Sequence, residues 1–506
     1  LGPFQFLRLK AVAVTSYWPN IRTTVAELNV VSLSNVIEQL GGKLLFALAI
    51  IGILLLLLKD KEGKRRYTIA FFMAMWLVAS LFATTKGVRF ILQATPVMAI
   101  ALGTSLGLIW NYSSHWISKE LKLNFDVTKI LVFILLAFLL IKPAQDGYSQ
   151  AYHSAPAMND GWYDALNKIN LEAPQDIVIT SWWDFGHWFK AIAQRPVTFD
   201  GGTQTSWGAY WVGKSLLTDD EKASVGIVRM LNCGQNNAFE ELNPKIADVP
   251  KTIDLLNEIV VQDKNTAAKT LQKSGLSSED IDAVLKYTHC DAPVDYYITS
   301  GDMIGKAGVW GHFGSWDFKK AVMYLHTKNL EHDEAVSKLM ANLSLSENTA
   351  EQYYTEIKTT SADNWISPWP GYISGVSGCQ NSTANSIRCT GSLQGQNFVM
   401  NIDLDTLDVR FESNGNVTPN SIVYPTKNGV QEKKFSGNTA GFSVILIPDG
   451  ENYSFILSSP SHAATTFTRL YFLDRYGMEC FSKYHETTDI NGGKIITWKV
   501  DYQCLS

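Results

Sequence analysis

The densest group of chemically capable residues in the chain is Trp182-Trp183-Asp184, followed by Phe185-Gly186-His187-Trp188. Two indole N–H donors stand beside a carboxylate that only accepts, a combination suited to a hydroxyl, which does both. Adjacent residues leaving a strand point in opposite directions, so the two indoles do not easily enter one core. Residue type alone leaves a second reading open. Asp184 precedes a helix-like run, Phe185, Trp188, Phe189 and Ile192, and could cap it while the tryptophans pack as core. The histidines show no metal-ligand spacing.

The elements that must position this motif can be read around it. Ile177-Val178-Ile179-Thr180 is apolar and β-branched, which favours a buried strand, so the motif sits at a strand's carboxyl end, where α/β layers gather ligand sites. Pro196-Val197-Thr198-Phe199 reads as the next strand. Trp162, Leu166 and Ile169 share one helical face, and several helical runs follow between Leu216 and Tyr287, including Lys251 to Val261 and Ala267 to Leu276. Tyr296-Tyr297-Ile298-Thr299 resumes a strand, leading into Asp302-Met303-Ile304-Gly305-Lys306 and a helix-like Phe318 to Asn329. Residues 143–360 are thus expected to form a mixed α/β domain with a helical insertion. Residues 361–506 alternate short strands with Asn414-Gly415, Asn428-Gly429 and Asn491-Gly492, pairs that suit tight hairpins, and read as a β-rich module.

Upstream, residues 41–142 hold four apolar segments: Leu44 to Leu58, continued backwards through Gly41-Gly42, then Tyr67 to Thr85, Phe90 to Trp110 and about Val127 to Ile141. The first and last need their flanks to reach the roughly 20 residues of a bilayer span. The connection Lys59 to Arg66 is strongly basic, and the loop from Asn111 to Asp126 carries Lys119 and Lys122. The positive-inside rule makes both cytoplasmic and places residues 1–40, Thr85 to Arg89 and everything after Ile141 on the external face of the membrane. Six cysteines lie after the last apolar run without close Cys-x-x-Cys spacing, and proximity groups them as Cys233 with Cys290, Cys379 with Cys389 and Cys480 with Cys504. Disulfides in an oxidising compartment follow. Asn-x-Ser/Thr triplets occur at Asn111, Asn342, Asn381, Asn416 and Asn452, the last four in the external part. A net charge of −5 over 506 residues gives no reason to invoke nucleic acid. The start, Leu1-Gly2-Pro3, carries neither methionine nor a signal peptide and is expected to be a truncation.

Trp182-Trp183-Asp184-Phe185-Gly186, with Arg195 to Gln204 downstream, resembles the Trp-Trp-Asp-Tyr-Gly signature of the oligosaccharyltransferase catalytic subunit, most like the archaeal AglB proteins. Phe185 replaces the usual tyrosine. The resemblance runs from about Thr24 to the end and implies the carboxyl-terminal half of a GT-C membrane bundle followed by the external domains. It further implies a glycosyltransferase that moves a glycan from a dolichyl phosphate or pyrophosphate carrier to Asn in Asn-x-Ser/Thr. Trp182, Trp183 and Asp184 inherit the acceptor-hydroxyl role. Thr24-Val25-Ala26-Glu27 looks like a Thr-Ile-x-Glu element, making Glu27 the candidate catalytic acid and a ligand of Mn²⁺ or Mg²⁺, whose hardness suits a carboxylate. Arg89 would face the lipid-linked phosphate, which its planar fork matches, with Lys86 as a nearby point charge. Met303 and Lys306 fall where the family carries a second acceptor-pocket element, although Asp302 and Lys306 are four apart rather than three and an ordinary helical ion pair is equally open. Thr466 to Leu473 matches a recurring archaeal stretch and reads as structural. The family's Asp-x-Asp-type ligands precede Thr24, and residues 1–23 do not supply them. Two further classes fit an external tryptophan-rich domain on a membrane anchor: a carbohydrate-binding envelope protein and an accessory acceptor-binding subunit.

Overall fold

The segment from Gly41 onward is apolar on every side, so its helices must be sorted by packing rather than by a polar face. They are α1 (Leu33–Gln39), α2 (Gly42–Leu55), α3 (Tyr67–Thr84), α4 (Ile91–Glu120) and α5 (Phe125–Tyr152). In this computed structural model the described residues are 16–57, 66–154, 156–203, 205–343, 345–383, 385–393, 395–412, 417–426 and 428–505. They form two compact units, Arg22–Ala157 and Met158–Ser506, the second also taking Ala13–Ile21.

In the first unit three helices are long and apolar enough to cross a membrane, and a fourth span exists only if α1 and α2, bent by 86°, count as one. The expected continuation through Gly41-Gly42 is therefore a break. Both glycines take positive φ, 106° and 86°, which turns the chain instead of extending the helix. The expected loop from Asn111 to Asp126 is also mostly helix. α4 runs on to Glu120, and Asn124 caps α5 by accepting from the backbone N–H of Asp126 and Val127. α5 continues through Pro143 to Tyr152, past the expected boundary at residue 142. The basic stretch Lys59 to Arg65 lies outside the described residues, as do residues 1–15 of the expected external loop.

Ala49, Ile53, Met73, Leu77, Val97, Met98 and Ala101 form the core of this bundle. Small residues let α2 and α4 approach: a Cβ on Gly52 would lie 2.0 Å from the Ala101 carbonyl oxygen. Trp76 ties α3 to α4 by donating to the Gln93 carbonyl at 3.0 Å. Phe71, Phe72, Phe133, Leu135 and Phe138 remain exposed, as lipid-facing side chains would be.

The second unit opens with α6 (Asp160–Glu172), whose Trp162, Leu166 and Ile169 are buried as one face. It packs on a four-stranded sheet ordered Val178–Thr180, Asp295–Ser300, Lys494–Val500, Phe481–Thr488, with the first pair parallel and the others antiparallel. Pro196 to Phe199 adds only a bridge, Ile179 to Val197, because Pro196 has no N–H to continue a ladder. Helices from Ser206–Leu217 to Ser278–Thr288 form the expected insertion between the first two strands. An eight-stranded sheet is ordered Val409–Phe411, Gln396–Asp403, Ser386–Leu393, Ser377–Thr383, Asn452–Ser458, Ser443–Asp449, Ser421–Thr426, Gly429–Lys434.

The β-rich stretch also contributes strands to the first sheet. Its last hairpin completes that sheet, Ile495 pairing with Ser300 and Trp498 with Tyr297, because Ile495, Ile496, Thr497 and Trp498 are buried on both faces and need a central position. Gly429 (φ 102°) and Gly492 (φ 83°) make the two hairpin turns expected of Asn428-Gly429 and Asn491-Gly492, while Asn414-Gly415 lies outside the described residues. All three cysteine pairs are bonded as proximity indicated.

The α2–α4 contact gives a direct test. Gly52→Leu is expected to lower the melting temperature of the protein in detergent, whereas Gly103→Leu, where an added Cβ meets nothing within 4 Å, should leave it unchanged. Equal effects of the two would remove the close-packing account.

Candidate functional site

The strand Val178–Thr180 ends and the chain turns sharply at Ser181, whose hydroxyl donates to the Ile298 carbonyl at 2.8 Å and lies 3.8 Å from Met303 Sδ. The next two residues part company, as strand geometry requires. Trp182 is buried edge-on to Phe199 and nearly parallel to Phe313. Trp183 is half-buried, and its buried Nε1 has no hydrogen-bond partner among the described residues. Asp184 lends Oδ1 to Lys306 Nζ at 3.0 Å, while its buried Oδ2 has no partner. The capping alternative fails, because neither short turn, Trp183–Phe185 nor Gly186–Trp188, has a side-chain cap bond. The core alternative holds for Trp182 alone.

Lys306 also bonds Asp302 Oδ2 at 2.8 Å and lies over the Phe185 ring at 4.7 Å. The helical ion pair and the pocket contact are thus the same lysine. Burial raises the Asp184 carboxyl above its ordinary value even though Lys306 opposes the shift. Burial acts to lower Lys306, but the two carboxylates outweigh it and hold the ammonium charged. Met303 is buried beneath the turn and accepts from Trp310 Nε1 through its carbonyl at 2.9 Å. Gly186 is required by contact: a Cβ there would stand 2.3 Å from Asp200 Cβ. Asp200 accepts from Gly202 N, Thr203 N and Thr203 Oγ1 and pairs with Lys190. Burial opposes its ionisation, but these partners hold its carboxyl down at about 2. Arg195 is structural, donating to the carbonyls of Ile169, Asn170 and Ala173 at the end of α6. Gln204, the last residue of the resembling stretch, lies outside the described residues.

In the first unit, Glu27 and Arg89 sit on two adjoining 3₁₀ turns, Ala26–Leu28 and Val88–Phe90. Val88 N donates to Asn29 O at 3.0 Å, and a Cβ on Gly87 would lie 2.7 Å from the Glu27 carbonyl. Both side chains are exposed, with the Arg89 guanidinium 5.1 Å from its neighbour's Phe90 ring. Thr466 to Tyr471 forms a buried helix whose first N–H donates to Thr218 O, consistent with a structural role.

Residues 174–320 match the STT3/PglB/AglB core domain, and residues 1–142 match the amino-terminal part of oligosaccharyl transferase STT3. Those two segments cover more than half of the chain and include the turn just described. The chain belongs to the STT3/PglB/AglB oligosaccharyltransferase family. It is 29% identical to the dolichyl-phosphooligosaccharide-protein glycotransferase of Methanocaldococcus jannaschii over 98% of this chain and 57% of that protein. The protein of the same name from Methanococcus voltae is 30% identical over 63% of this chain and 43% of its own length. The chain therefore spans about half the length of the curated relatives it matches. The crystal structure of the Archaeoglobus fulgidus oligosaccharyltransferase covers 92% of this chain and 41% of its own at 14% identity, with a TM-score of 0.40.

For this family member the cation expected at Glu27 can be tested on the donor set. Among the described residues no three His, Cys, Asp or Glu side chains are grouped so as to hold a metal ion, and Glu27 offers one carboxylate where a hard divalent ion takes six or more oxygens. These residues do not by themselves form the site.

Sequence reasoning passed over Asp295. Its Oδ2 accepts from Thr180 Oγ1 at 2.6 Å and Asn232 Nδ2 at 2.8 Å, Thr180 Oγ1 meets Thr198 Oγ1 at 2.6 Å, and Asn232 also donates to the Tyr502 hydroxyl at 3.1 Å. The available signal was an acid at the head of an otherwise apolar strand. Fully buried, with Oδ1 unpartnered and no cation among its hydrogen-bond partners, its carboxyl is pushed up to about 7 by burial. The folded protein then holds a proton that the unfolded chain releases near the ordinary carboxylate value. This contribution is fully present at low pH, declines as pH rises from there, and is gone above about 7. Asp295→Asn, which keeps an acceptor and cannot titrate, is expected to flatten the pH dependence of the melting temperature across that window and to raise it at higher pH. An unchanged profile would remove the uncompensated carboxylate from the account. Gly186→Ala should in turn displace the motif, lowering acceptor affinity more than thermal stability.

Proposed function

We propose that this protein is the glycan-transferring subunit of a membrane oligosaccharyltransferase, moving an oligosaccharide from a dolichyl phosphate or pyrophosphate carrier to asparagine in Asn-x-Ser/Thr on the external face of the cell membrane. One observation carries the reading: successive residues at the strand end, Trp183 and Asp184, offer one buried N–H donor, Nε1, and one buried carboxylate oxygen, Oδ2, neither with a hydrogen-bond partner among the described residues. A Ser or Thr hydroxyl matches that pair, accepting from the indole and donating to the carboxylate. Lys306 keeps Asp184 supplied with a counter-charge while leaving Oδ2 to the acceptor, and Met303 supports the turn from below.

In the transfer, the asparagine amide nitrogen forms a bond to the anomeric carbon as the carbon–oxygen bond to the carrier breaks. The phosphate leaves with the electron pair, and the nitrogen loses a proton. That nitrogen is a weak nucleophile because its lone pair is delocalised into the carbonyl. Holding it in place is therefore much of the task, and a grip two residues away supplies position. Glu27 is the proposed acid that hydrogen-bonds the amide, and Arg89 the proposed partner of the departing phosphate, where charge develops. Mn²⁺ or Mg²⁺ belongs to this reading only as an ion that Glu27 shares with carboxylates from other segments. The methanogen relatives' names, with their dolichyl-linked donor and protein acceptor, support the choice of substrates.

The test uses native membranes, lipid-linked donor, Mn²⁺ and paired peptides containing Asn-x-Thr or Asn-x-Ala. Asp184→Ala is expected to lower kcat/KM for the Asn-x-Thr peptide by roughly 10- to 100-fold, the worth of a hydrogen bond to a charged group, and to erase the preference over Asn-x-Ala. Trp183→Phe should act in the same direction with a smaller loss. Undiminished preference in Asp184→Ala would sink the site assignment. Peptide capture without glycopeptide would favour an accessory acceptor-binding subunit, and glycan binding with neither would favour an envelope protein.

A further inference from the structure

We propose that Asn381 is a site of N-linked glycan attachment on this protein itself, an inference that rests on the acceptor reading above. Asn381-Ser382-Thr383 ends the strand Ser377–Thr383, which forms a hairpin with Ser386–Leu393. Gln380, Asn381, Ser382 and Thr383 are all exposed, so both faces of the strand have left the core there. The neighbouring strand Asn452–Ser458 reaches only Ser377 and Gly378, leaving one edge of the triplet open. On the other edge the ladder is interrupted: Asn381 pairs with Ile387 and Thr383 with Ser386, with a bulge at Ser382. The amide of Asn381 and the hydroxyl of Thr383 are therefore reachable without unzipping the sheet. The Thr383 hydroxyl has one exposed side-chain contact, Ser386 Oγ at 2.7 Å, which an acceptor pocket could replace.

Two residues earlier, Cys379 is bonded to Cys389 directly across the hairpin. The bridge holds the base of the hairpin while its end projects, and it puts this segment in an oxidising compartment. The proposed glycan transfer takes place on that same side of the membrane. A bulky hydrophilic group at Asn381 meets no packed surface.

The other triplets lack these features. In Asn452-Tyr453-Ser454 the hydroxyl-bearing residue is half-buried and paired on both sides, with Ile447 and with Gly378. Asn111 lies in α4, where residues two apart point to different sides, and Ser344, the hydroxyl residue of the Asn342 triplet, is outside the described residues. Asn416 is outside the described residues. At Asn381 a bond forms from Nδ2 to the sugar's anomeric carbon, the carrier phosphate leaves with the electron pair, and the amide gives up one proton.

The protein purified from its native membranes, reduced and digested, would be examined by mass spectrometry for glycopeptides, and the same membranes assayed with lipid-linked donor and a free Asn-x-Thr peptide. The Asn381 peptide is expected to carry glycan and the Asn452 peptide none. Asn381→Gln and Thr383→Ala should abolish the modification while Thr383→Ser, which keeps the hydroxyl, retains it. Transfer to the free peptide with Asn381 unmodified would overturn this proposal alone. No modification of either would overturn both it and the functional reading. A glycosylated Asn381 without transfer to the peptide would uphold the site and count against the activity assigned to this protein.

Discussion

A buried carboxylate without a counter-ion sets the position of everything that matters in the second unit. Asp295 gathers Thr180 from the first strand, and Thr180 meets Thr198 from the bridged segment; Asp295 also holds Asn232 from the insertion, which reaches Tyr502 near the carboxyl end. These segments are far apart in the chain, and a polar network in low dielectric is stable only when its members are satisfied together. The disulfide from Cys233, one residue after Asn232, to Cys290 pins the same helix end. The strand that delivers Trp183 and Asp184 is only three residues long and could not hold its register alone. The network and the central Asp295–Ser300 strand hold it instead. The helical insertion and the final hairpin are thus parts of the site's scaffold rather than additions to it.

This explains what the sequence made legible and what it did not. The opposed directions of Trp182 and Trp183 follow from strand geometry, and the structure buries the first against Phe199 and Phe313 while leaving the second's N–H unpartnered. Lys306 was ambiguous because an i,i+4 partner, Asp302, was visible locally, while Asp184 is brought to it only by the parallel pairing of strands separated by more than a hundred residues. The closing hairpin looked like part of a β-rich module because alternation and Asn-Gly turns specify hairpins but not the sheet they join. Residues 494–500 belong to the first sheet because Ile495, Ile496, Thr497 and Trp498 are buried in succession, a pattern that calls for a central strand. The first span was expected to continue backwards through Gly41-Gly42, yet two successive positive φ values end one helix and begin another at a steep angle.

The electrostatics at the strand end divide Asp184 between two tasks. Lys306 takes one oxygen and shares itself with Asp302, so a single ammonium serves two carboxyl groups and Oδ2 of Asp184 is left open. A second lysine on Oδ2 would occupy the oxygen that is left open. Burial by itself pushes the carboxyl further up. The observed arrangement lies between these, with a carboxyl raised by burial but still opposed by one ammonium.

On the proposed reading, unpaired buried polar atoms also govern selectivity. Each such atom costs on the order of 1–3 kcal/mol while it lacks a partner, and the ligand that supplies both missing partners recovers that cost. An acceptor peptide with alanine two residues after the asparagine would leave Trp183 Nε1 and Asp184 Oδ2 without a partner and recover none of that cost. Sites built to bond a hydroxyl reject the analogue without one far more strongly than apolar pockets reject an extra methyl. Serine and threonine would then be separated from every other residue mainly by the penalty on the wrong ligand.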